Sequence, residues 1–300
     1  MAAYKVKKAI IPVAGLGTRG LPFTKEVPKE LTPILDTPAI QHIMEEVSRA
    51  GIEQVILVTG KGKFSIEDHF DYSAYLEHWL HKRGKDELIE KLRQLTQMCE
   101  VVSIRQKEPL GLGHAVYTAR NLVGNEPFAV CLGDEIYPPW NQNEADQSTL
   151  KRLIEVAEAK GGSAIVVKAV EDSEVSSYGI IDLGGEPLSK APLKVKGLIE
   201  KPDLKQAPSR LAVIGRYVFS SQMMDYLADA KPGRGGEIQL TDAMDRYCRS
   251  ENLYALMLEG CRYDIGSLSG LVQATLDASL RREDIAPGIR RFMRERCESI

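Results

Sequence analysis

Residues Ile10–Leu35 read IIPVAGLGTRGLPFTKEVPKELTPIL, and the way this stretch is punctuated decides the architecture. An apolar run from Ala9 to Val13 ends in small residues. Gly15-Leu16-Gly17-Thr18-Arg19-Gly20 follows, and then Lys25 and Lys29 stand between prolines. A buried strand opening into a glycine loop with fixed cations suits a polyphosphate. Glycines let backbone N–H groups approach the oxygens, and Arg and Lys neutralise their charge. Gly15, Gly17 and Gly20 also satisfy G-x-G-x-x-G, the dinucleotide-binding fingerprint. That fingerprint requires the turn to open directly into a helix whose N-terminus holds the pyrophosphate. Pro22, Pro28 and Pro33 occupy the place of that helix, and prolines at this spacing stop one. The expectation is a long, extended loop that carries its own charges.

Outward from the loop, Ala39–Ala50 places Ile40, Ile43, Met44 and Val47 at helical spacing and stops at Gly51, and Val55–Val58 is a short buried strand. Strand, glycine loop, helix and strand make the start of a parallel, doubly wound sheet. Lys61 and Lys63 follow at the strand's carboxyl end, where such sheets place ligands. They are either phosphate contacts or solvated lysines. Ser73–Met98 predicts a surface helical hairpin broken near Gly84, and Val101–Ile104 a third strand. That strand delivers Gln106 and then Gly111-Leu112-Gly113-His114-Ala115, a second glycine loop opening a helix. An amide that both donates and accepts is suited to reading a flat base. Phe128–Leu132 is an apolar strand ending at Gly133-Asp134-Glu135. Asp134, at the end of a central strand and downstream of two phosphate-type loops, is placed to hold Mg²⁺.

Farther on, Pro138–Asp146 predicts a loop and Thr149–Lys160 an amphipathic helix. Ala164–Val170, Ile180–Leu183, Lys194–Glu200 and Leu211–Phe219 predict strands that extend the sheet and cover the site. Gly235–Asp242 predicts a structural loop with Thr241 or a neighbour as helix cap. Leu271–Leu280 and Ile289–Arg296 predict helices, the last with a basic, solvated or subunit-contacting face.

The 300 residues are 43% hydrophobic and 27% charged with net charge −3, ordinary for a globular protein and without the basic signature of a nucleic-acid binder. No apolar run reaches the ~18 residues that would span a membrane. Met1-Ala2-Ala3-Tyr4 leads into lysines, so no secretory leader is expected. The five cysteines are scattered without C-x-x-C spacing, which points to reduced thiols in a cytoplasm, Cys131 being a core residue.

The longer string is more specific. GTR-x-LP-x-TK-x-x-PKE-x-x-P-x-x-x-x-P, matched at Gly17, Thr18, Arg19, Leu21, Pro22, Thr24, Lys25, Pro28, Lys29, Glu30, Pro33 and Pro38, resembles the N-terminal signature of bacterial UTP–glucose-1-phosphate uridylyltransferases, within the sugar-nucleotide pyrophosphorylase superfamily. The likeness continues through Ser65–Asp71, the R-Q-x-x-x-x-G-L-G-H-A string at Arg105–Ala115, Tyr178-Gly179, Glu200-Lys201-Pro202 and Gly235–Asp242 to about Leu271.

The resemblance implies an α/β fold, a Rossmann-like, mixed, mostly parallel sheet flanked by helices. It also implies a nucleotidyltransferase domain at 1–275, with a nucleotide half to about 135, a sugar-binding half beyond it, and a helical extension at 276–300. It assigns Arg19, Lys29 and Lys201 to catalysis, and Ala14, Gly15, Leu16, Gly17, Thr18, Lys25, Glu30, Gln106 and Gly111 to the nucleotide. It assigns Gly179, Glu200 and Lys201 to the sugar, and Asp134 with Asp264 to Mg²⁺. The implied substrates are UTP and glucose 1-phosphate, with no nucleic acid or membrane partner, in a cytoplasmic homo-oligomer. The chain departs from the pattern at Glu135, where the family usually has Asp, and at Leu268, where it usually has Lys. Two alternatives follow: a weakly active regulatory paralogue, or the same reaction on another base or sugar, such as dTDP-glucose synthesis.

Overall fold

The structure, a computed structural model, describes residues 4–138, 148–188 and 192–297. Of the loop expected at Pro138–Asp146, all but Pro138 lies outside them. β1 (Lys8–Pro12) runs into the opening loop. The loop is not extended as expected. It winds through 3-10 turns at Thr18–Gly20, Phe23–Lys25 and Lys29–Leu31. Pro22 and Pro28 stand at the entrances of the second and third turns, where a fixed φ is pre-organised and the missing N–H is not needed.

A small hairpin, β2 (Pro33–Ile34) and β3 (Thr37–Pro38), leads into α1 (Ala39–Arg49) and β4 (Gln54–Thr59). α2 (Phe64–Asp68) precedes the surface hairpin α3 (Ala74–Lys82) and α4 (Asp86–Thr96), which breaks at Gly84 as the sequence predicts. Then come β5 (Glu100–Arg105), α5 (Leu112–Thr118), α6 (Arg120–Val123), β6 (Phe128–Cys131) and β7 (Glu135–Ile136). The later part supplies α7 (Thr149–Lys160), β8 (Ser163–Ala169), β9 (Gly179–Asp182), β10 (Leu193–Lys194) and β11 (Gly197–Glu200). The strand expected over Lys194–Glu200 is thus two pieces, which pair with different neighbours. β12 (Leu211–Phe219), α8 (Met223–Ala228), α9 (Leu240–Ser250) and β13 (Leu253–Met257) follow. The described chain closes with β14 (Tyr263–Asp264), α10 (Leu268–Arg281) and α11 (Ala286–Cys297). Thr241 lies inside α9 rather than capping it; Gln239 holds the cap position.

The main sheet runs β10-β13-β8-β12-β6-β1-β4-β5, with β9 and β11 attached at β12. β5, β4, β1 and β6 are mutually parallel, β12 is antiparallel to both β6 and β8, and β13 is parallel to β8. The sheet is therefore mixed and mostly parallel. Its central strands β1, β4, β6 and β12 are buried on both sides, which is why they read as apolar runs without alternation. Ile10, Ile56 and Val130 pack on one face against Val116, Met223 and Met244, whereas Ile11, Leu57 and Cys131 pack on the other against Ile40, Ile43 and Leu153. The chain leaves β1 for β4 on one side and later returns to β6 on the other. Sheets of this kind bind ligands outside the carboxyl ends of their strands, at the point where the direction of winding reverses.

Below that point lies a buried charge. Arg216, fully enclosed in β12, donates to Glu46 Oε2 of α1 from Nη2 at 2.7 Å and Nε at 3.0 Å. It also donates to the carbonyls of Gly215, Leu132 and Glu135, and it lies 4.4 Å from the Tyr137 ring centroid. Glu46 Oε1 accepts from the backbone N–H of Leu150. Glu46→Ala would strand the guanidinium without its counter-charge, and breaking a buried pair in this way costs about 3–5 kcal/mol. A urea unfolding curve should show a loss of that size.

Candidate active site

At the carboxyl ends of β1, β5 and β6 is a cleft of about 410 Å³ lined by Ala14, Gly15, Leu16, Gly17 and Thr18, by Lys29 and Glu30, by Gln106 and Gly111, and by Asp134. The fold thus gathers these expected residues around one space. Lys25 is not among the lining residues; it is exposed, 3.9 Å from Glu26.

Lys29 Nζ lies 2.5 Å from Asp134 Oδ2. Arg19 reaches Asp134 at 3.7 Å and Asp264 at 3.8 Å, its side chain 62% exposed. Asp264 comes to Asp134 through a short antiparallel ladder, β7 with β14, extended by the Ile265 N–H donating to the Asp134 carbonyl at 2.9 Å. A Cβ built on Gly266 would stand 2.7 Å from the Arg19 guanidinium and 3.0 Å from an oxygen of each carboxylate. The two oxygens are therefore separated by at most twice that distance, and a side chain at 266 would fill the point where the three groups converge. Burial works against charge on Asp134, but Lys29 and Arg19 outweigh it and hold the carboxyl below its ordinary value. For Asp264, burial and the neighbouring Asp134 prevail over Arg19 and push the carboxyl up.

Glu30 is fully enclosed. Its Oε2 accepts from Lys63 Nζ at 2.8 Å, while Oε1 has no hydrogen-bond partner among the described residues. Burial lifts its carboxyl above the usual range despite Lys63 and Lys29. Lys63 is thus not a solvated lysine; it is the buried partner of Glu30, while Lys61 is exposed.

On another wall of the cleft, the Gln106 amide is buried, donating to the Gly111 carbonyl at 3.1 Å and meeting His114 Nδ1 at 2.9 Å. Gly111 has φ +99, and a Cβ there would stand 2.8 Å from Glu237 Cβ and 2.9 Å from the Ile238 carbonyl oxygen. The Gly113 N–H donates to that carbonyl at 2.8 Å, and the Ile238 N–H donates to the Leu110 carbonyl at 2.7 Å. The two glycine-bearing motifs, read separately in the sequence, are mated face to face. Glu237 consequently lines the cleft, a residue that sequence reasoning treated only as part of a structural loop.

Gly179 and Glu200 are direct partners across β9 and β11. A Cβ on Gly179 would lie 3.2 Å from Glu200 Oε2 and 2.9 Å from Thr241 Oγ1. Lys201, at φ +45, follows with its Nζ 3.3 Å from Glu200 Oε1. Tyr178, just before Gly179, meets Arg262 at 3.4 Å, and that contact ties this group to the strand carrying Asp264. Leu268 is 70% exposed at the start of α10 and lines an apolar groove of about 700 Å³ that shares Gly17, Thr18 and Lys29 with the cleft. His69 is held by Gln41 away from these groups, and the arginines of α11 are exposed.

A family model described as nucleotidyl transferase matches residues 8–280. A UTP–glucose-1-phosphate uridylyltransferase 2 of Staphylococcus saprophyticus subsp. saprophyticus is 48% identical over 293 residues, covering 97% of this chain and 98% of that protein. The UTP–glucose-1-phosphate uridylyltransferase of Staphylococcus haemolyticus is 47% identical at the same coverage. Among solved structures, a UTP-bound UGPase from Acinetobacter baumannii has a TM-score of 0.86 and 38% identity, covering 97% of this chain and 99% of the other. A UDP-glucose pyrophosphorylase complexed with UDP-glucose has a TM-score of 0.81 and 38% identity over 92% of this chain and all of the other.

The mated loops carry a prediction. Gly111→Ala should lower unfolding free energy by at least the ~1–3 kcal/mol of a strained left-handed backbone and should weaken nucleotide binding. Gly51→Ala, at φ +87 with no atom within 4 Å, should incur the backbone cost and leave binding unchanged. Urea denaturation and UTP titration of both variants read the difference.

Proposed function

The chain belongs to the nucleotidyl transferase family, and from that premise we infer that it makes UDP-glucose and pyrophosphate from UTP and glucose 1-phosphate. The observation that carries the reading is the convergence of Asp134, Asp264, Arg19 and Lys29 at the mouth of a cleft walled by a glycine loop and a buried amide. The reaction joins a phosphate oxygen of the sugar substrate to the α-phosphorus of UTP and breaks the bond from that phosphorus to pyrophosphate. It requires no covalent enzyme intermediate, so catalysis rests on positioning and charge neutralisation.

In this proposal Gly15–Thr18 presents backbone N–H groups to the triphosphate. Arg19 and Lys29 neutralise the phosphates, and Lys29 already sits beside Asp134. Gln106 and Gly111 hold the uracil edge. Gly179 and Glu200 hold sugar hydroxyls, and Lys201 meets the sugar phosphate as a point charge.

Asp134 and Asp264 fit Mg²⁺, because both offer hard oxygens and the ion takes few protein carboxylates, completing its shell with phosphate and water. When bound, Mg²⁺ supplies charge neutralisation between two phosphorylated substrates. Cytoplasmic operation and assembly as a homo-oligomer complete the proposal. Among the described residues no helix is long and apolar enough to cross a membrane.

Asp134→Asn and Asp264→Asn keep size and remove charge. Each should lower turnover by at least ~10²-fold, the scale of losing a group that stabilises transition-state charge. Melting temperature and metal-free UTP binding should hardly change. Near-normal turnover at low Mg²⁺ in either variant would remove that carboxylate from the metal site.

Gln106→Ala should cost about 1–3 kcal/mol of discrimination between UTP and other nucleotides, since the base edge loses its partner. A panel of four NTPs against several sugar 1-phosphates, read by pyrophosphate release, measures this. Equal loss with every nucleotide would place Gln106 outside base selection, and preference of the parent for dTTP would overturn the uridylyl assignment. Release with no pair would favour a regulatory paralogue.

A further inference from the structure

Glu135 stands where the family's pattern has Asp, and the structure shows what the longer side chain reaches. Glu135 Oε1 accepts from Arg262 Nη2 at 2.6 Å, and Oε2 accepts from Arg262 Nε at 2.8 Å. The same Oε2 accepts from the Tyr137 hydroxyl at 2.9 Å and from the Gly215 N–H at 3.1 Å. The bridge is enclosed, with the two side chains 7% and 8% exposed. Both Glu135 oxygens are thus committed to protein donors, and a two-pronged Arg–carboxylate bridge fixes geometry as well as distance. Space for the additional methylene comes from Gly215, where a Cβ would lie 2.5 Å from Glu135 Oε2.

The location of the bridge gives it meaning. Glu135 directly follows Asp134, and Arg262 lies two residues before Asp264. Glu135 and Asp264 are register partners across β7 and β14. The bridge therefore clamps the two-stranded ribbon whose ends carry the two carboxylates. Arg262 also approaches the Tyr178 hydroxyl at 3.4 Å, with its guanidinium 5.7 Å from the ring centroid, and Tyr178 precedes Gly179.

We propose that Glu135 and Arg262 are a positioning pair: their bridge fixes the separation of Asp134 and Asp264 and, through Tyr178, ties it to the group formed by Gly179, Glu200 and Lys201. The proposal rests on the two-carboxylate metal reading above. It assigns neither residue a direct contact with substrate, and it makes Glu135 a support for the metal site rather than a third ligand.

The test uses the full-length enzyme with Mn²⁺ as the metal probe, followed by electron paramagnetic resonance in the presence of UTP. Glu135→Gln and Arg262→Lys should each weaken Mn²⁺ binding about 10–100-fold, the range seen when a group orienting a metal ligand is lost. KM for glucose 1-phosphate should rise in both, while UTP binding without metal stays close to the wild-type value. Glu135→Asp keeps the charge but draws it back by one methylene, and its Mn²⁺ affinity should fall between wild type and Glu135→Gln. If Glu135→Gln does not fold, this milder variant decides: weakened Mn²⁺ binding supports the pair and wild-type binding overturns it. Wild-type Mn²⁺ affinity and KM in both charge-bridge variants, with only a lower melting temperature, would reduce the bridge to a structural contact and overturn the proposal. Asp134→Asn separates the two failures. Mn²⁺ binding retained in that variant overturns the metal reading and this proposal together, whereas binding lost there but intact in Glu135→Gln overturns this proposal alone.

Discussion

A guanidinium with no access to water must be surrounded by acceptors, and that requirement organises the centre of this protein. Arg216 meets it with Glu46 from α1 and with carbonyls from both sides of the Gly133–Glu135 turn. A buried charge of this kind is a weak source of net stability but an unforgiving one, because any partner that moves leaves polar atoms unsatisfied. The turn carrying Asp134 is consequently held from beneath by a residue 81 to 84 positions away from the carbonyls it holds. Arg262 repeats the device one layer outward, on the side chain of Glu135. The acidic end of the cleft thus stands on two arginines, with half-buried Lys29 against Asp134 and exposed Arg19 above it.

Much of this was legible in the chain because it is local. The apolar run before Gly15, the helix opened by Gly111 and the strand ending at Asp134 each announce themselves within a few residues, and each lies where the sequence places it. The sheet's class followed from the same signals, since a strand buried on two faces cannot alternate. The coiling of the Gly17–Leu31 segment departs from the expected extended loop for a local reason as well: a proline's fixed φ suits a tight turn as readily as an extended chain.

The rest is long-range and leaves no periodic trace. Nothing near Lys63 foretells a buried carboxylate thirty-three positions earlier, and nothing in Gly235–Asp242 says that it will seat against Gly111 and Gly113. Only the family resemblance points to Asp264. Its spatial partner is set by a ladder two residues long, too short for sequence pattern to specify. The role of Glu135 is likewise invisible in the chain, because its partner Arg262 lies 127 positions away and meets it only after folding.

The position of β12 has a consequence for how the chain is made. This strand, late in the sequence, lies between β6 and β8 and joins the parallel block to the remainder of the sheet. Until it is synthesised, β6 presents an open row of backbone donors and acceptors, flanked by some of the most apolar surface in the molecule. Unpaired strand edges of this kind invite pairing with other chains. A nascent chain stalled before Leu211 would hold the glycine loop and the Asp134 turn but lack both the strand that closes its edge and the arginine that seats its turn. The emerging polypeptide is thus most in need of chaperone cover in the interval between β6 and β12, and the cleft, which takes Glu237 into its wall, is an achievement of the finished chain rather than of its first half.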